Sequence, residues 1–352
     1  MKLKNDFIIA LLKELELRKN ELESDTIHSL YFGGGTPSIL EVDEIKRIID
    51  KVNQFYNFSS DIEITVEANP DDLISSFLKD LSETGVNRLS IGTQSFYDED
   101  LKQMNRAHNA MQAQDSIKRA QDFGLENISI DLIYGAPTST MEIWKNNLRQ
   151  AVELEVMHIS SYALTIEPKT ALENWISKGK IKAPEEEAQS EEFYYMCDFL
   201  ADHGFEHYEI SNFGKPGFHS KHNSAYWDYS AYLGLGPSAH SYDGFKTRSW
   251  NVSNNTKYIQ QIANNELPLE REILSPSDRF NEMLMIGLRT KKGVDMKQFK
   301  EAEFSDELMA HFQKEFTKLH QEGKLLIKDD RLIIPQEYWF LADGIAAELF
   351  WV

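Results

Sequence analysis

Over the first 210 residues, short apolar runs rich in β-branched side chains alternate with stretches whose apolar positions recur every three or four residues. The runs predict strands at 27–32 (IHSLYF), 61–67 (DIEITVE), 86–91 (VNRLSI), 127–133 (NISIDLI), 157–164 (MHISSYAL) and 205–210 (FEHYEI). Helical spacing predicts helices over 41–54, 72–84, 109–123 and 140–154. Strands and helices in this rhythm imply an α/β fold with a parallel sheet and helical crossovers, a barrel or part of one. One element breaks the rhythm. The helix expected at about 5–22 has no strand before it, although a βα fold ought to open with one.

Polar residues collect where the expected strands end. Glu67 closes one strand, Thr93 and Gln94 follow another, Asp131 nears the end of a third, and Ala163 ends a fourth. In a βα barrel the C-terminal strand ends ring the mouth in which active sites are built. The plainer reading is that polar groups mark strand ends in any protein, and it weakens when the whole ring is considered. The first strand also runs straight into a triple glycine, YFGGGTPS at 31–38. Glycine lets bare backbone approach a ligand. The loop has neither the Lys of a phosphate-cradling P-loop nor the spacing of a dinucleotide fingerprint.

Beyond residue 265 the pattern changes. Residues 279–289 and 305–322 read as helices, 323–335 as a two-stranded hairpin around Asp329-Asp330, and 337–350 as a final helix. Helices followed by such a wing suggest a small winged-helix-like α+β domain. Lys324, Lys328 and Arg331 are offset by Asp329 and Asp330, so DNA binding is not expected. The acidic run 183–192 reads as a helix start placed to suit the helix dipole.

Composition narrows the classes. A net charge of −20 over 352 residues argues against a broad nucleic-acid or anionic-membrane surface. No apolar run approaches the roughly 20 residues needed to span a bilayer, and the N-terminus does not read as a signal peptide, so a cytoplasmic location is expected. The single cysteine, Cys197, excludes an internal disulfide and a multi-cysteine metal site within this chain. His203 and His207 lie four apart, but Gly204 between them should end the helix, which speaks against a zinc pair.

Taken in order, YFGGGTPS, ITVEANP (64–70), RLSIGTQSF (88–96) with Asn105-Arg106, and IDLIYGAP (130–137) resemble the radical S-adenosylmethionine (SAM) proteins related to oxygen-independent coproporphyrinogen III oxidase. His222-Asn-Ser-Ala-Tyr226-Trp227 and the segment 232–241 resemble the haem chaperone branch, HemW-type, rather than the oxidase. The resemblance implies a radical SAM partial barrel at 1–210, a connecting region with the HNxxYW haem motif at 211–265, and a HemN-like winged-helix domain at 266–352. It implies SAM binding by Gly34, Gly35, Thr36, Glu67, Gln94, Arg106, Asp131 and Ala163. It implies haem binding by His222, Asn223, Tyr226 and Trp227, with Lys215, His219, Lys221 and Arg248 offering charge to propionates and His240 able to line the same cavity. The partners implied are haem and haem-accepting proteins, respiratory and membrane-associated ones among them.

The resemblance also implies a [4Fe–4S] cluster held by a CxxxCxxC run after the first strand. This chain has no such run, and one thiolate cannot hold four irons. The missing motif and missing strand both point just ahead of Met1, as in a clipped chain. On this reading the chain should not bind the cluster or perform radical chemistry, its SAM affinity should be reduced, and its first helix should pack poorly against an incomplete barrel. The leading expectation is therefore a cluster-deficient haem-binding and haem-delivering protein. The alternative is an oxygen-independent coproporphyrinogen III oxidase using radical chemistry, and a blander one is a cluster-free scaffold that binds partners.

Overall fold

Polar side chains alternate with apolar ones along the strands, and the alternation decides how the sheet is built. The computed structural model describes residues 3–168 and 170–352. Helix α1 (Lys4–Arg18) is followed by the parallel strands β1 (Thr26–Phe32), β2 (Asn57–Ala68), β3 (Arg88–Gln94), β4 (Ile128–Tyr134) and β5 (His158–Ala163). The crossovers carry α2 (Val42–Phe55), α3 (Ser75–Leu81), α4 (Asp98–Gln103), α5 (Ala110–Asp122) and α6 (Met141–Glu153). After β5 come α7 (Ala171–Ser177), α8 (Glu186–Asp202), β6 (Glu206–Glu209) and β7 (Asn212–Gly214). Among the described residues these strands form a seven-stranded curled sheet, a half barrel, in the order β1-β2-β3-β4-β5-β7-β6. Ile64, Val66, Leu89, Ile91, Ile128, Ile130, Leu132 and Ile159 are buried in the apolar core shared with the crossover helices.

The expected sixth strand differs from a simple βα repeat. Residues 206–214 fold back as the antiparallel pair β6–β7, with β7 inserted next to β5 and β6 at the edge. The Glu209 carboxylate holds the reversal by accepting from Asn212 and from the Ser211 N–H. α3 is shorter than its apolar spacing predicts, because Pro70–Asp72 forms a 3-10 turn and Ile74 is extended.

Short helix α9 (Lys221–Trp227) then crosses to β1, followed by a second sheet of β8 (His240–Tyr242), β9 (Thr247–Asn251) and β10 (Leu269–Ile273), with α10 (Asn255–Ala263) between the last two. The C-terminal part comprises α11 (Pro276–Leu288), β11 (Val294–Asp295), α12 (Met296–Glu301), α13 (Asp306–Gln321), β12 (Leu326–Lys328), β13 (Arg331–Ile333) and α14 (Ala342–Glu348). Asp329 and Asp330 both take positive φ (52° and 58°), as a tight two-residue hairpin turn requires. The wing gains a third strand, β11, which the sequence pattern did not suggest. Phe193 and His207 pack against Phe340 and Trp339, so the last segment shares the barrel's core.

α1 does not pack poorly, contrary to expectation. Ile8, Ala10 and Leu15 are buried, and Glu14 and Arg18 are fully sealed. The Glu14 carboxylate accepts from Tyr258 OH (2.6 Å), Asn251 Nδ2 (2.7 Å), Gly236 N (2.8 Å) and Arg18 Nη1 (2.9 Å). Arg18 also donates to the Gly234 carbonyl and to Ser241 Oγ. The partner of α1 is thus the second sheet, and the network ends the helix at Arg18 rather than at residue 22. Removing one member of a buried ion pair leaves the other charge stranded at a cost of about 3–5 kcal/mol. Glu14→Ala should therefore lower stability in urea by that amount, while Glu16→Ala, on the exposed face of the same helix, should change it by about 0.5 kcal/mol or less. A Glu14→Ala loss below about 1 kcal/mol would show that the network does not hold α1.

Candidate functional site

The strand positions that do not face the helices carry Tyr31 on β1, Glu67 on β2, Arg88 and Ser90 on β3, Ser129 and Asp131 on β4, and Ser160 and Tyr162 on β5. Parallel register aligns them, pairing Glu67 with Ser90, Ser90 with Ser129, and Asp131 with Ser160. With Ser220 and Asn223 from the start of α9 they enclose a polar cavity of about 130 Å³. Asp131 opens onto the cavity but lies deep among protein atoms. Its carboxyl is pushed up to about 7 by desolvation and then by the charge of Glu67, against the pull of Arg106, a Ser160 hydrogen bond and Arg88. Beneath it His158 is buried and held neutral by desolvation, with Nδ1 on Ser129 Oγ (2.7 Å) and Nε2 on Tyr208 OH (2.7 Å).

The glycine loop stands at the rim. Tyr31 OH donates to Glu67 Oε1 at 2.7 Å. A Cβ on Gly33 would lie 2.5 Å from the Tyr31 ring and 2.7 Å from that same oxygen, so only glycine fits. Gly34 takes φ +79°, and a Cβ on Gly34 or Gly35 would meet nothing within 4 Å, so this backbone faces open space. Thr36 precedes the 3-10 turn Pro37–Ile39. Gln94 ends β3 at φ 66°, where the register with β4 shifts. Arg106 donates from Nη2 to Asn69 Oδ1 (2.8 Å) and to the Gly92 carbonyl (3.0 Å), and its buried Nε has no partner. Glu67 and Asp131 thus line the cavity itself, while Gln94 and Ala163 end their strands and Gly34, Gly35, Thr36 and Arg106 lie on the segments that follow strand ends. Open loop backbone, an orphaned guanidinium nitrogen and two carboxylates fit a ligand with an amino-acid end and a cationic sulfonium, as SAM has. A cluster is not matched. Cys197 is buried in α8, its thiol is pushed up to about 12 by burial, and its Sγ faces His207 Nδ1.

α9 is docked onto the same face. Glu63, buried on β2, accepts from the backbone N–H of Lys221 (3.1 Å) and of His222 (3.0 Å), and Arg88 lies 3.9 Å from it. Ser220 caps the helix by accepting from Asn223 N. The His222 ring stacks on Tyr31 with centroids 4.4 Å apart. Its Nδ1 meets Ser29 Oγ (3.3 Å), and its Nε2 meets Tyr226 OH (3.1 Å). Burial pushes His222 down to about 4, so it is neutral at pH 7 and holds a lone pair. Asn223 lines the cavity, Tyr226 is exposed, and Trp227 lies under the Arg289 guanidinium (5.7 Å) with its Nε1 unpartnered.

The charges expected to meet propionates are engaged elsewhere: Lys221 with Asp61, His219 with Glu206, Arg248 with Glu282, and Lys215 over the Phe205 ring. In so acidic a chain, His219, Lys221 and Arg248 each find a carboxylate close by. His240 stands on the second sheet in a row with Trp250 and Glu270, lining a separate cavity of about 220 Å³. His203 bonds back to the Phe199 carbonyl and His207 to that of Ile210, so the two do not converge. Sequence reasoning missed Tyr31, Glu63, Arg88, Ser129, His158 and Tyr208. Their signal was present as polar residues two apart inside apolar runs, such as Arg88/Ser90, Ser129/Asp131 and His158/Ser160.

Comparison with known proteins follows the same lines. The radical SAM superfamily profile matches residues 9–151, and the HemN C-terminal domain profile matches residues 274–341. A protein described as "Heme chaperone HemW" from Lactococcus lactis is 35% identical over 328 residues, 93% of this chain and 84% of that protein. Another of that description, from Bacillus subtilis, is 37% identical over 299 residues, 84% of this chain and 79% of that protein. The solved structure of the Escherichia coli coproporphyrinogen III oxidase HemN superposes with a TM-score of 0.82, covering 98% of this chain and 83% of that one at 23% identity, which is a likeness of fold. A half barrel with a glycine loop over a polar cavity, a C-terminal domain of HemN type, and relatives this similar over nearly the whole chain place the protein: it belongs to the HemW heme chaperone family of the radical SAM superfamily.

Proposed function

We propose that this protein binds haem through His222 on α9 and delivers it to haem-dependent proteins, respiratory enzymes among them, in the cytoplasm. The half barrel beside that helix holds SAM. The observation that carries the reading is the state of His222. It is a neutral imidazole, stacked and hydrogen-bonded in place, with the Nε2 side toward exposed Tyr226. Neutral imidazole is a proven axial ligand for haem iron. The description of the relatives as heme chaperones supports the same reading. Asn223, Tyr226 and Trp227 would border the porphyrin, and haem, once held, supplies the iron that His222 ligates.

In the cradle, Gly34, Gly35 and Thr36 would present backbone and hydroxyl partners to the methionine end of SAM. Glu67 would accept from its ammonium or ribose hydroxyls, Arg106 and Gln94 would complete the polar wall, and Ala163 would let adenine lie close to the backbone. The single cysteine of this chain, Cys197, is buried in α8 and not placed to serve a cluster. The two ligands would meet across one ring, because Tyr31 touches Glu67 with its hydroxyl and His222 with its face.

Two outcomes are expected. In ferric haem titrations, His222→Ala should weaken binding by about tenfold or more and change the iron's ligand spectrum. Wild-type affinity with an unchanged spectrum would remove His222 from the account. SAM binding should depend on pH through Asp131, whose carboxyl, raised to about 7, is about half protonated there and mostly protonated by pH 6. A cationic ligand favours the ionised form, so binding should release a proton and tighten from pH 6 to pH 8. Calorimetry should find that dependence lost in Asp131→Asn, and an equal pH slope in both proteins would contradict it.

A further inference from the structure

A neutral imidazole offers one N–H and one lone pair. On His222 both nitrogens meet hydroxyls, Ser29 Oγ at Nδ1 and Tyr226 OH at Nε2. A phenol is far more acidic than an aliphatic alcohol and therefore the better donor. The favoured tautomer then donates Nδ1–H to Ser29 and accepts the Tyr226 proton at Nε2. Metal-ligating histidines are characteristically held by a partner on the ring nitrogen that does not ligate. Ser29 already fills that place.

We propose that Tyr226 is a latch that occupies the iron-binding lone pair of His222 in the haem-free protein, with Ser29 keeping Nε2 as the ligating nitrogen. The inference rests on the haem reading of His222 and adds how that site opens and closes. The two sides of the imidazole are held differently. Ser29 and the stacked Tyr31 grip it from strand β1, which belongs to the barrel sheet. Tyr226 reaches it from one turn along the same short helix, is 40% exposed, and is edge-on to Tyr232. A rotation of the Tyr226 side chain frees Nε2 while the imidazole stays in place. Haem loading must break that hydrogen bond, and the bond re-forms when haem leaves. A carrier gains from this arrangement, because the empty site is itself satisfied and release does not leave the nitrogen unpaired.

The test is a ferric haem titration of the full chain in four forms: wild type, Tyr226→Phe, Ser29→Ala and His222→Ala. Phenylalanine keeps the ring and removes only the competing hydroxyl, so Tyr226→Phe should bind about fivefold tighter with the wild-type ligand spectrum. Ser29→Ala frees the tautomer and should bind about threefold more weakly. In the haem-free protein, the His222 Nε2 nitrogen resonance should move in Tyr226→Phe. If His222→Ala is impaired but Tyr226→Phe keeps wild-type affinity, the latch is overturned. If Tyr226→Phe binds more weakly, the hydroxyl holds haem instead of blocking it, and the latch is again overturned. An unaltered His222→Ala would instead defeat the underlying haem reading, so the two failures are distinguishable.

Discussion

A sheet that turns charged side chains toward its own concave face has to supply each of them with a partner, and Glu63 shows what this demands. Its carboxylate is buried on β2 with the Arg88 guanidinium nearby, and two further hydrogen bonds come from the first N–H groups of α9. Bonds to a charged acceptor contribute about 1.5–3 kcal/mol each, and a helix start presents donors with a favourable dipole. The carboxylate therefore fixes where α9 begins. With Lys221 and His222 seated on Glu63, the His222 ring lies against Tyr31 and Ser29 on the neighbouring strand.

That seating joins two parts of the molecule that are far apart in sequence. The glycine loop follows β1 and α9 lies nearly two hundred residues later, yet both rest on Tyr31. The phenol donates to Glu67 beside Gly33, and the same ring stacks on the imidazole. On the outer side, α1 is tied to the second sheet through the Glu14–Arg18 network, and the last segment is joined to α8 through Phe193, Phe340 and Trp339. The cavity, the helix and their surroundings therefore share one continuous set of contacts.

Much of this was legible in the sequence, for physical reasons. β-branched runs and helical spacing located β1 to β5 and most of the helices within a few residues, because burial on the convex side dictates those patterns. The antiparallel return of β6 and β7 was not legible. It depends on Glu209 bridging to Ser211 and Asn212, a local contact that leaves no periodic trace. The second sheet was also missed, since β8 has only three residues and is paired through β9 rather than through its own pattern. In the site, the strand-end positions were legible as motifs, and the fold sets them at and around one polar cavity. The buried wall of Glu63, Arg88, Ser129 and His158 was less legible, because single polar residues within apolar runs do not by themselves mark a site. Three of the basic groups expected near propionates, His219, Lys221 and Arg248, are paired with carboxylates from β6, β2 and α11, and such pairing is a property of the fold.

The most direct test of the account is whether the polar cavity and α9 sense each other's proposed ligands. Ferric haem would be titrated into the full chain with and without saturating SAM, and SAM with and without haem. If both ligands share Tyr31 as described, each should change the other's dissociation constant by the same factor, about fivefold or more. Binding of both with unchanged constants would contradict the claim that Tyr31 links Glu67 to His222.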